Sequence, residues 1–534
     1  MSITALNPAA TLESLAGWQR RAATIGLALT AGLLAAFAHP PFGFLPGLLG
    51  YPLLMWLCER TEGKGRLRAA FWYGWLAGFA YFGVGTWWVA EAFLVDARQA
   101  WMAPFAASLM PAGLGLFWGA AMAAYRKIAP AHAGRVLVFA GTFTLFEWLR
   151  GHVLSGFPWN LPGETWRAGS PVSQTASLVG AYGLTWLTLF VAASFVPLLA
   201  GRNRTRILTA AAGAVVLALM LGFGAVRLAG AVEQPTSTLV RIVQADVPQE
   251  DKWDEAAFRA IVERYVRLTR TPPRGRHPDI VIWPEGALPA AAEQIFAPGA
   301  WTAPAITGSL QPGQTLLMGT YRAEVRGQEV DYYNSLVAFT RTPAGLRHDA
   351  TYDKHRLVPF GEFMPLDELM EATGIKALTH VGDGFSSGPW PRPLTVPGRP
   401  PMQPLICYEG LFPELAGNGP RPAWIVNISN DAWFGRTSGP LQHLNLSSYR
   451  AIEQGLPIVR ATPTGVSAVI DAHGRIDPKL RLDAGEAGVI DAPLPAALEN
   501  TYFSRIGDWG AWALIVISLL FAAPIRRLLR QARQ

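Results

Sequence analysis

Met402-Gln403-Pro404-Leu405-Ile406-Cys407-Tyr408-Glu409-Gly410 reads as a short apolar strand that ends in a cysteine, with a carboxylate two positions on. Side chains at strand ends of α/β folds are where catalytic groups commonly sit. The chain has 534 residues and 2 cysteines. Cys58 lies inside an apolar run, so Cys407 has no disulfide partner in the polar part. An isolated thiol is either inert filler or a nucleophile. Two more segments end in the same way. Asp279-Ile280-Val281-Ile282-Trp283-Pro284-Glu285 delivers a carboxylate. Tyr352-Asp353-Lys354 delivers an amine, just ahead of Leu357-Val358-Pro359-Phe360-Gly361-Glu362.

Around these three segments strands and helices alternate. Residues 239–243, 279–283, 315–321, 335–339, 405–407, 423–428, 458–460 and 466–470 read as strands. Residues 254–269 carry Phe258, Ile261, Val262, Tyr265 and Leu268 at helical spacing, and 443–454 reads as a second helix. Continuous apolar strands interleaved with helices predict a sheet covered on at least one face.

The other half predicts a membrane domain. Apolar residues make up 51% of the chain and charged residues 16%, against about 25% charged in an average soluble protein. Residues 69–90, 102–125, 168–201 and 207–226 contain no charge, and about 20 apolar residues cross a bilayer core. Eight spans are expected, near 22–38, 41–58, 69–92, 104–125, 136–151, 172–200, 207–229 and 508–525. In the fifth, Glu147 and Arg150 interrupt the apolar run, which fits either a short span or a half-buried helix.

Basic residues predict the orientation. Arg20 and Arg21 precede the first span, and Arg60, Lys64, Arg66 and Arg68 follow the second. Arg126, Lys127 and Arg135 separate the fourth and fifth, and Arg202, Arg204 and Arg206 the sixth and seventh. Arg526, Arg527, Arg530 and Arg533 close the chain. Every second loop is basic, which places those loops in the cytoplasm and residues 230–507 outside. The expected organisation is a seven-span domain over 1–230, an outer domain over 231–505, and a closing span with a basic tail over 506–534. The net charge of +7 follows from this topology. No nucleic-acid partner is expected, because the basic residues do not gather in one groove. No cleavable signal is evident, and the first apolar run is expected to stay as an anchor.

The ordered set Trp283-Pro284-Glu285, Lys354 ahead of L-V-P-F-G-E, and Ile406-Cys407-Tyr408-Glu409 resembles the nitrilase superfamily of carbon-nitrogen hydrolases. The later run Asn427-Ile428-Ser429-Asn430-Asp431-Ala432-Trp433-Phe434-Gly435 is similar to it too. The resemblance covers about residues 238–498. It implies a four-layer αββα sandwich and a Glu-Lys-Cys triad. Cys407 is then the nucleophile, Glu285 the base that takes its proton, and Lys354 the fixed charge for a tetrahedral oxyanion. Singly, each residue has a bland alternative: a buried structural thiol, a turn carboxylate, a solvated lysine. As an ordered set they favour catalysis. Glu362 is a candidate to orient Lys354, and Glu409 to position the nucleophile loop; ordinary loop carboxylates are the competing reading. Tyr408 is a pocket wall or simple core.

A thiol outside the membrane on a polytopic anchor points to a lipid substrate. The whole layout resembles the apolipoprotein N-acyltransferase family of Gram-negative bacteria. Trp253 and the Phe157-Pro158-Trp159-Asn160 loop are similar to parts of that family. The resemblance implies a ping-pong reaction in the bacterial inner membrane, catalysed on the periplasmic side. A phospholipid is the acyl donor, Cys407 carries a thioester, and the free amine of a diacylated apolipoprotein is the acceptor. The first rival is a membrane-tethered nitrilase-type amidase that hydrolyses a small amide. The second is a non-catalytic transporter or lipid-binding protein, against which the intact triad argues. Apolar residues 360–364, 366–370 and Trp433-Phe434 line acyl chains or form ordinary core. Trp87, Trp88, Trp101, Trp159 and Trp166 read as an interfacial aromatic belt. Glu91, Glu147 and His152 are ionisable groups near membrane depth and candidates by that fact. The nine histidines show no metal-ligand spacing, so neither metal nor cofactor is expected.

Overall fold

A computed structural model describes residues 14–231, 235–249, 255–327, 329–364, 384–417 and 419–522. The N-terminal part is helical: α1 Gly17–Phe37, α2 Gly50–Glu59, α3 Arg66–Thr86, α4 Ala103–Ile128, α5 Arg135–His152, α6 Ala176–Ala193 and α7 Arg204–Ala229. Four stretches, Gly17–Phe37, Ala100–Ile128, Val172–Ala200 and Arg204–Ala229, are long and apolar enough to cross a membrane. The other predicted spans fall on helices of different length. Residues 41–58 hold a 3₁₀ turn, Leu45–Leu49, and the 10-residue α2. Residues 69–92 hold most of the 21-residue α3 and a short turn of helix, Val89–Ala92.

Small residues set how these helices meet. A Cβ on Gly78 of α3 would sit 2.8 Å from the Gly115 Cα of α4, so only paired glycines allow this backbone approach. The charges in the fifth predicted span do not interrupt it: α5 runs through both and ends at His152. Glu147 and Arg150 lie one turn apart and pair with each other, and Trp118 Nε1 donates to Glu147 at 2.7 Å. Arg150 also donates to the Phe157 carbonyl. Satisfying both charges inside the bundle keeps the helix intact.

The second part holds β1 Pro235–Gln244, α8 Glu255–Thr269, β2 Ile280–Trp283, α9 Thr302–Thr307, β3 Thr315–Arg326, β4 Glu329–Thr342 and β5 Gly345–Asp353. It continues with β6 Met402–Ile406, β7 Trp424–Ile428, α10 Gly439–Gln454, β8 Ile458–Ala461, β9 Ser467–Ile470, β10 Ile476–Leu482 and β11 Gly488–Pro495. After it, α11 Trp509–Leu519 returns to pack on α5 and α6. The rest of the predicted closing span and the basic tail, from 523 on, lie outside the described residues.

The strands form two sheets, in the orders β11-β1-β2-β3-β4-β5 and β10-β9-β8-β7-β6. Alternate residues explain why the strands read as unbroken apolar runs. Ile280 and Ile282 point between the sheets, where they meet Ile406, Val426, Ile428 and Val459. Val281 and Trp283 point the other way, onto Ile261, Val262 and Tyr265 of α8. On the far side Leu405, Ile425 and Ile458 pack on Leu444 and Leu446 of α10. The expected αββα order is therefore present. Its fourth layer is unusual in that α10 is buried along its whole length, because the helical part covers its outer face.

Sequence reading missed β5, β10 and β11. β5 and β10 are edge strands with mostly half-buried or exposed residues, so they lack a continuous apolar run. β11, at the other edge of the first sheet, alternates buried with exposed or half-exposed positions and ends in prolines. The aromatic-belt reading fails for two tryptophans. Trp88 and Trp159 are buried at the joint of the two parts, and both indole N–H groups donate to Gln442 Oε1 of α10, at 3.1 and 2.9 Å. Trp87 and Trp101 are exposed, as a belt requires.

Candidate active site

Three strand ends converge. Glu285 follows β2, Lys354 follows β5, and Cys407 follows β6, so two groups come from one sheet and the thiol from the other. Cys407 has φ of 50°, a left-handed backbone that costs an L-residue about 1–2 kcal/mol. Such strain is found where a turn must present a side chain, as at a strand-to-helix nucleophile elbow. A short 3₁₀ turn, Cys407–Leu411, begins at this residue.

Lys354 is 1% exposed, which removes the solvated-surface reading. Its Nζ lies 2.8 Å from Glu362 Oε1 and 3.3 Å from Glu285 Oε1. Asn334 Nδ2 donates to the same two oxygens, at 2.8 and 2.7 Å. Glu362 Oε2 accepts from the Val358 N–H at 2.8 Å. One ammonium and one amide thus hold two carboxylates in a fixed square. The second oxygen of Glu285 is buried and has no hydrogen-bond partner among the described residues. It is the free acceptor of the set.

Electrostatics follow from this packing. Burial draws Lys354 towards neutrality, but Glu285, and after it Glu362, hold its ammonium above the ordinary lysine range. Burial and then the Glu285 charge push the Cys407 thiol up to about 12, with Lys354 acting the other way. The resting sulfur therefore carries its proton. A group that needs to attack from this state needs a base within reach.

Residues 31–194 match the family described as Apolipoprotein N-acyltransferase N-terminal domain, and residues 239–502 match Carbon-nitrogen hydrolase. A relative from Caulobacter vibrioides named apolipoprotein N-acyltransferase is 55% identical over 94% of this chain and 94% of that protein. The chain belongs to the apolipoprotein N-acyltransferase family. Relatives of the same name from Allorhizobium ampelinum and Bradyrhizobium diazoefficiens are 38% and 40% identical, over 97% and 96% of this chain and 98% and 96% of theirs. An amidase of known structure from Nesterenkonia sp. is 18% identical, covering 50% of this chain and 94% of that one with a TM-score of 0.31. That likeness is too low to bear on the chemistry.

Like its family, the chain is a multi-pass membrane protein with a nitrilase-like α/β domain. Within this chain the remaining expected residues take distinct places. Glu409 is fully buried. Its Oε1 accepts from the Tyr352 hydroxyl at 2.7 Å and from the His355 and Arg356 N–H groups at 2.8 and 3.1 Å. Its Oε2 accepts from the Ile406 N–H at 2.7 Å. Glu409 thus ties the end of β6 to the loop after Lys354, across the two sheets. The Tyr408 hydroxyl donates to the Gly156 carbonyl, and its ring packs 5.0 Å from Phe412 and 6.4 Å from Phe157. It docks the nucleophile turn onto the loop that follows α5. Trp253 and residues 366–370 lie outside the described residues. Phe360, at φ of 63°, is exposed beside Glu362. Phe434 instead packs in the joint, 4.4 Å from Trp88. Glu91 reaches Gly435 in the same joint, and His152 stacks on Trp148 at 3.9 Å, away from the triad.

Sequence reading did not find Asn334, His443 or Arg460. His443 Nε2 lies 3.3 Å from the Cys407 carbonyl, and its Nδ1 lies 3.0 Å from Asp431 Oδ1. Arg460 Nη2 bonds Asp431 Oδ2 at 2.8 Å and lies 3.1 Å from His443 Nδ1. Ser429 donates to Asp431 at 2.8 Å and acts on the thiol against the effect of burial. Ser429 and Asp431 stand in the run already singled out by resemblance. His443 opens the predicted second helix, and a histidine beside a buried arginine strand was the one available signal.

Proposed function

We propose that the chain transfers an acyl chain from a membrane phospholipid to the N-terminal α-amine of the diacylglyceryl-cysteine of an apolipoprotein, through a thioester on Cys407. The observation that carries this reading is the free, buried Glu285 oxygen set beside a protonated thiol and a fixed Lys354 ammonium, on a chain of this family. In the first step Glu285 takes the thiol proton as sulfur attacks the ester carbonyl. Lys354 stabilises the oxyanion. The C–O bond breaks, Glu285 returns the proton to the leaving oxygen, and lysophospholipid departs. In the second step the acceptor amine attacks the thioester and Glu285 takes the amine proton. The C–S bond breaks, the thiolate regains its proton, and an amide is left on the lipoprotein. Glu362 and Asn334 hold Lys354 and Glu285 in place, and Glu409 holds the nucleophile turn. Trp253 is kept as a supporting residue on the family resemblance alone.

The same reading assigns residues 1–230 to a seven-span membrane domain, 231–505 to the catalytic domain, and 506–534 to a closing span and cytoplasmic tail. It sets the protein in the bacterial inner membrane, with eight spans and the catalytic domain in the periplasm. The alternating basic loops support this orientation. Reporter fusions after Gly230 and after Gln534 give opposite compartments on this reading; matching signals reject it.

The reaction itself has a direct test. In detergent with phospholipid alone, acyl-Cys407 accumulates to about one equivalent and stalls. A diacylated lipopeptide with a free N-terminal amine then discharges it into an amide, and the same lipopeptide acetylated on that amine does not. Rapid fatty-acid release with no amine present would instead identify a membrane-tethered amidase-type hydrolase.

A further inference from the structure

The catalytic strand end has a partner that the transfer scheme does not use. His443 stands in the second turn of α10 and is 1% exposed. Its Nε2 faces the main-chain carbonyl of the nucleophile itself, at 3.3 Å. A carbonyl oxygen only accepts, so this contact is a hydrogen bond when Nε2 carries the proton. Nδ1 then faces Arg460 Nη2, a donor, at 3.1 Å, and Asp431 Oδ1, an acceptor that the same guanidinium holds, at 3.0 Å. Asp431 neutralises that guanidinium, at 2.8 and 3.0 Å. All three side chains are at most 1% exposed, so little water competes for these bonds. The rings of Phe434 and Trp159 each stand 5.6 Å from the imidazole and fix its plane.

The contact falls on a strained peptide. Cys407 is at φ of 50°, a conformation that a cysteine does not hold by its own preference. A peptide unit is planar and trans, so its C=O and N–H point in opposite directions. Holding the Cys407 carbonyl against α10 therefore turns the Tyr408 N–H away from α10. It also fixes the Cα–Cβ direction that aims the sulfur. We propose that His443 is a positioning residue for acyl transfer, which holds the Cys407–Tyr408 peptide in its left-handed orientation through Nε2–H donation to the Cys407 carbonyl. Arg460 and Asp431 set the imidazole that makes this bond. Burial, and then the Arg460 charge, lower the His443 pKa, while the Asp431 carboxylate and the Cys407 carbonyl act the other way.

The inference rests on the proposed thioester chemistry, and the experiment separates the two. Acyl-Cys407 formation from phospholipid is compared with iodoacetamide alkylation of Cys407, in full-length protein at one pH. Alkylation passes through no oxyanion and depends on a reachable sulfur and on its thiolate fraction. His443→Phe keeps a planar ring against Trp159 and Phe434 but has no donor. Its expected effect is a fall in the acylation kcat of about 100-fold, the scale of misplacing a reacting group by about 1 Å, with KM for phospholipid unchanged. Alkylation falls far less, as the flexible reagent can meet the sulfur from any open direction. His443→Gln, whose amide N–H reaches the Nε2 position, recovers most of the rate. If His443→Phe fails to insert or fold, His443→Asn, whose shorter amide does not reach that position, takes its place. Wild-type acylation kinetics in His443→Phe overturn the inference. So does a parallel fall of acylation and alkylation, which would mean a merely structural side chain. Absence of acyl-Cys407 in the wild-type protein would instead overturn the proposed function.

Discussion

The Lys354 ammonium sits closer to Glu362 than to Glu285, at 2.8 against 3.3 Å. The carboxylate nearest the lysine is therefore not the one with a free oxygen. On the proposed mechanism this divides the labour of the two acids: Glu362 anchors the cation, and Glu285 keeps one oxygen available for a proton.

Glu362→Gln removes the closer charge but keeps an acceptor for the Val358 N–H. Lys354 then loses its closer anchor and swings toward Glu285, engaging the free base. Thioester formation, followed by intact-protein mass, is expected to slow by about 10- to 100-fold, with folding preserved. Wild-type accumulation in this variant would return Glu362 to the class of ordinary loop carboxylates.

The raised thiol makes a signed prediction for pH. With the Cys407 thiol up at about 12, thiolate is scarce at pH 7. The alkylation rate should climb about tenfold per pH unit between pH 7 and 10. The Glu285 charge is one cause of the elevation. Glu285→Gln removes it, so the thiol pKa falls and alkylation at pH 8 becomes faster than in the wild type. Acyl transfer from phospholipid is lost in the same variant, because the base is gone. Slower alkylation in Glu285→Gln would contradict the assigned sign.

Strain at the nucleophile shows in stability. At φ of 50°, a glycine relaxes where an alanine does not. Cys407→Gly and Cys407→Ala both abolish the thioester. The glycine variant is expected to be the more stable of the two by about 1 kcal/mol in denaturant unfolding. Equal stabilities would mean that the turn is not strained at this residue.

A buried ion pair helps join the two parts of the chain. Glu453 of α10 pairs with Arg450 at 2.6 Å and accepts from the Ala181 N–H at 2.8 Å. Ala181 follows Gly180, where α6 kinks at φ of 69°. Glu453→Ala leaves Arg450 buried with only Glu164, at 3.9 Å, as a carboxylate partner, and leaves the Ala181 N–H unmet. A loss of about 3–5 kcal/mol is expected in detergent unfolding. Glu453→Gln, which keeps an acceptor for that N–H, costs less.

Much of the site was legible because its three main groups directly follow apolar runs. Glu285 ends Ile280–Trp283 plus a proline, and Cys407 ends Met402–Ile406. An apolar run marks a buried strand, and the first polar residue after it emerges at the sheet end. Lys354 follows β5, an edge strand with little apolar signal. There only the ordered motif drew attention to it. The fold class was legible for a related reason: strands buried on both faces read as continuous hydrophobic runs, and long charge-free helices read as membrane spans. Charge-free length served less well for counting spans, since α2 has 10 residues and α11 has 11.

Sequence by itself determined the chemical groups, their order, and the division into a helical half and an α/β half. These are properties of local pattern: hydrophobic period, isolated charge, and what ends each run. Only the tertiary structure decided which groups touch. Asn334 lies 49 residues from Glu285, and Trp159 bonds a side chain 283 residues away. Lys354 becomes a buried cation, Trp159 turns inward, and His443 meets the Cys407 carbonyl because two sheets stack and the membrane helices close over α10. A hydrogen bond is short and directional. Its partner is set by that stacking, and no local period in the chain encodes it.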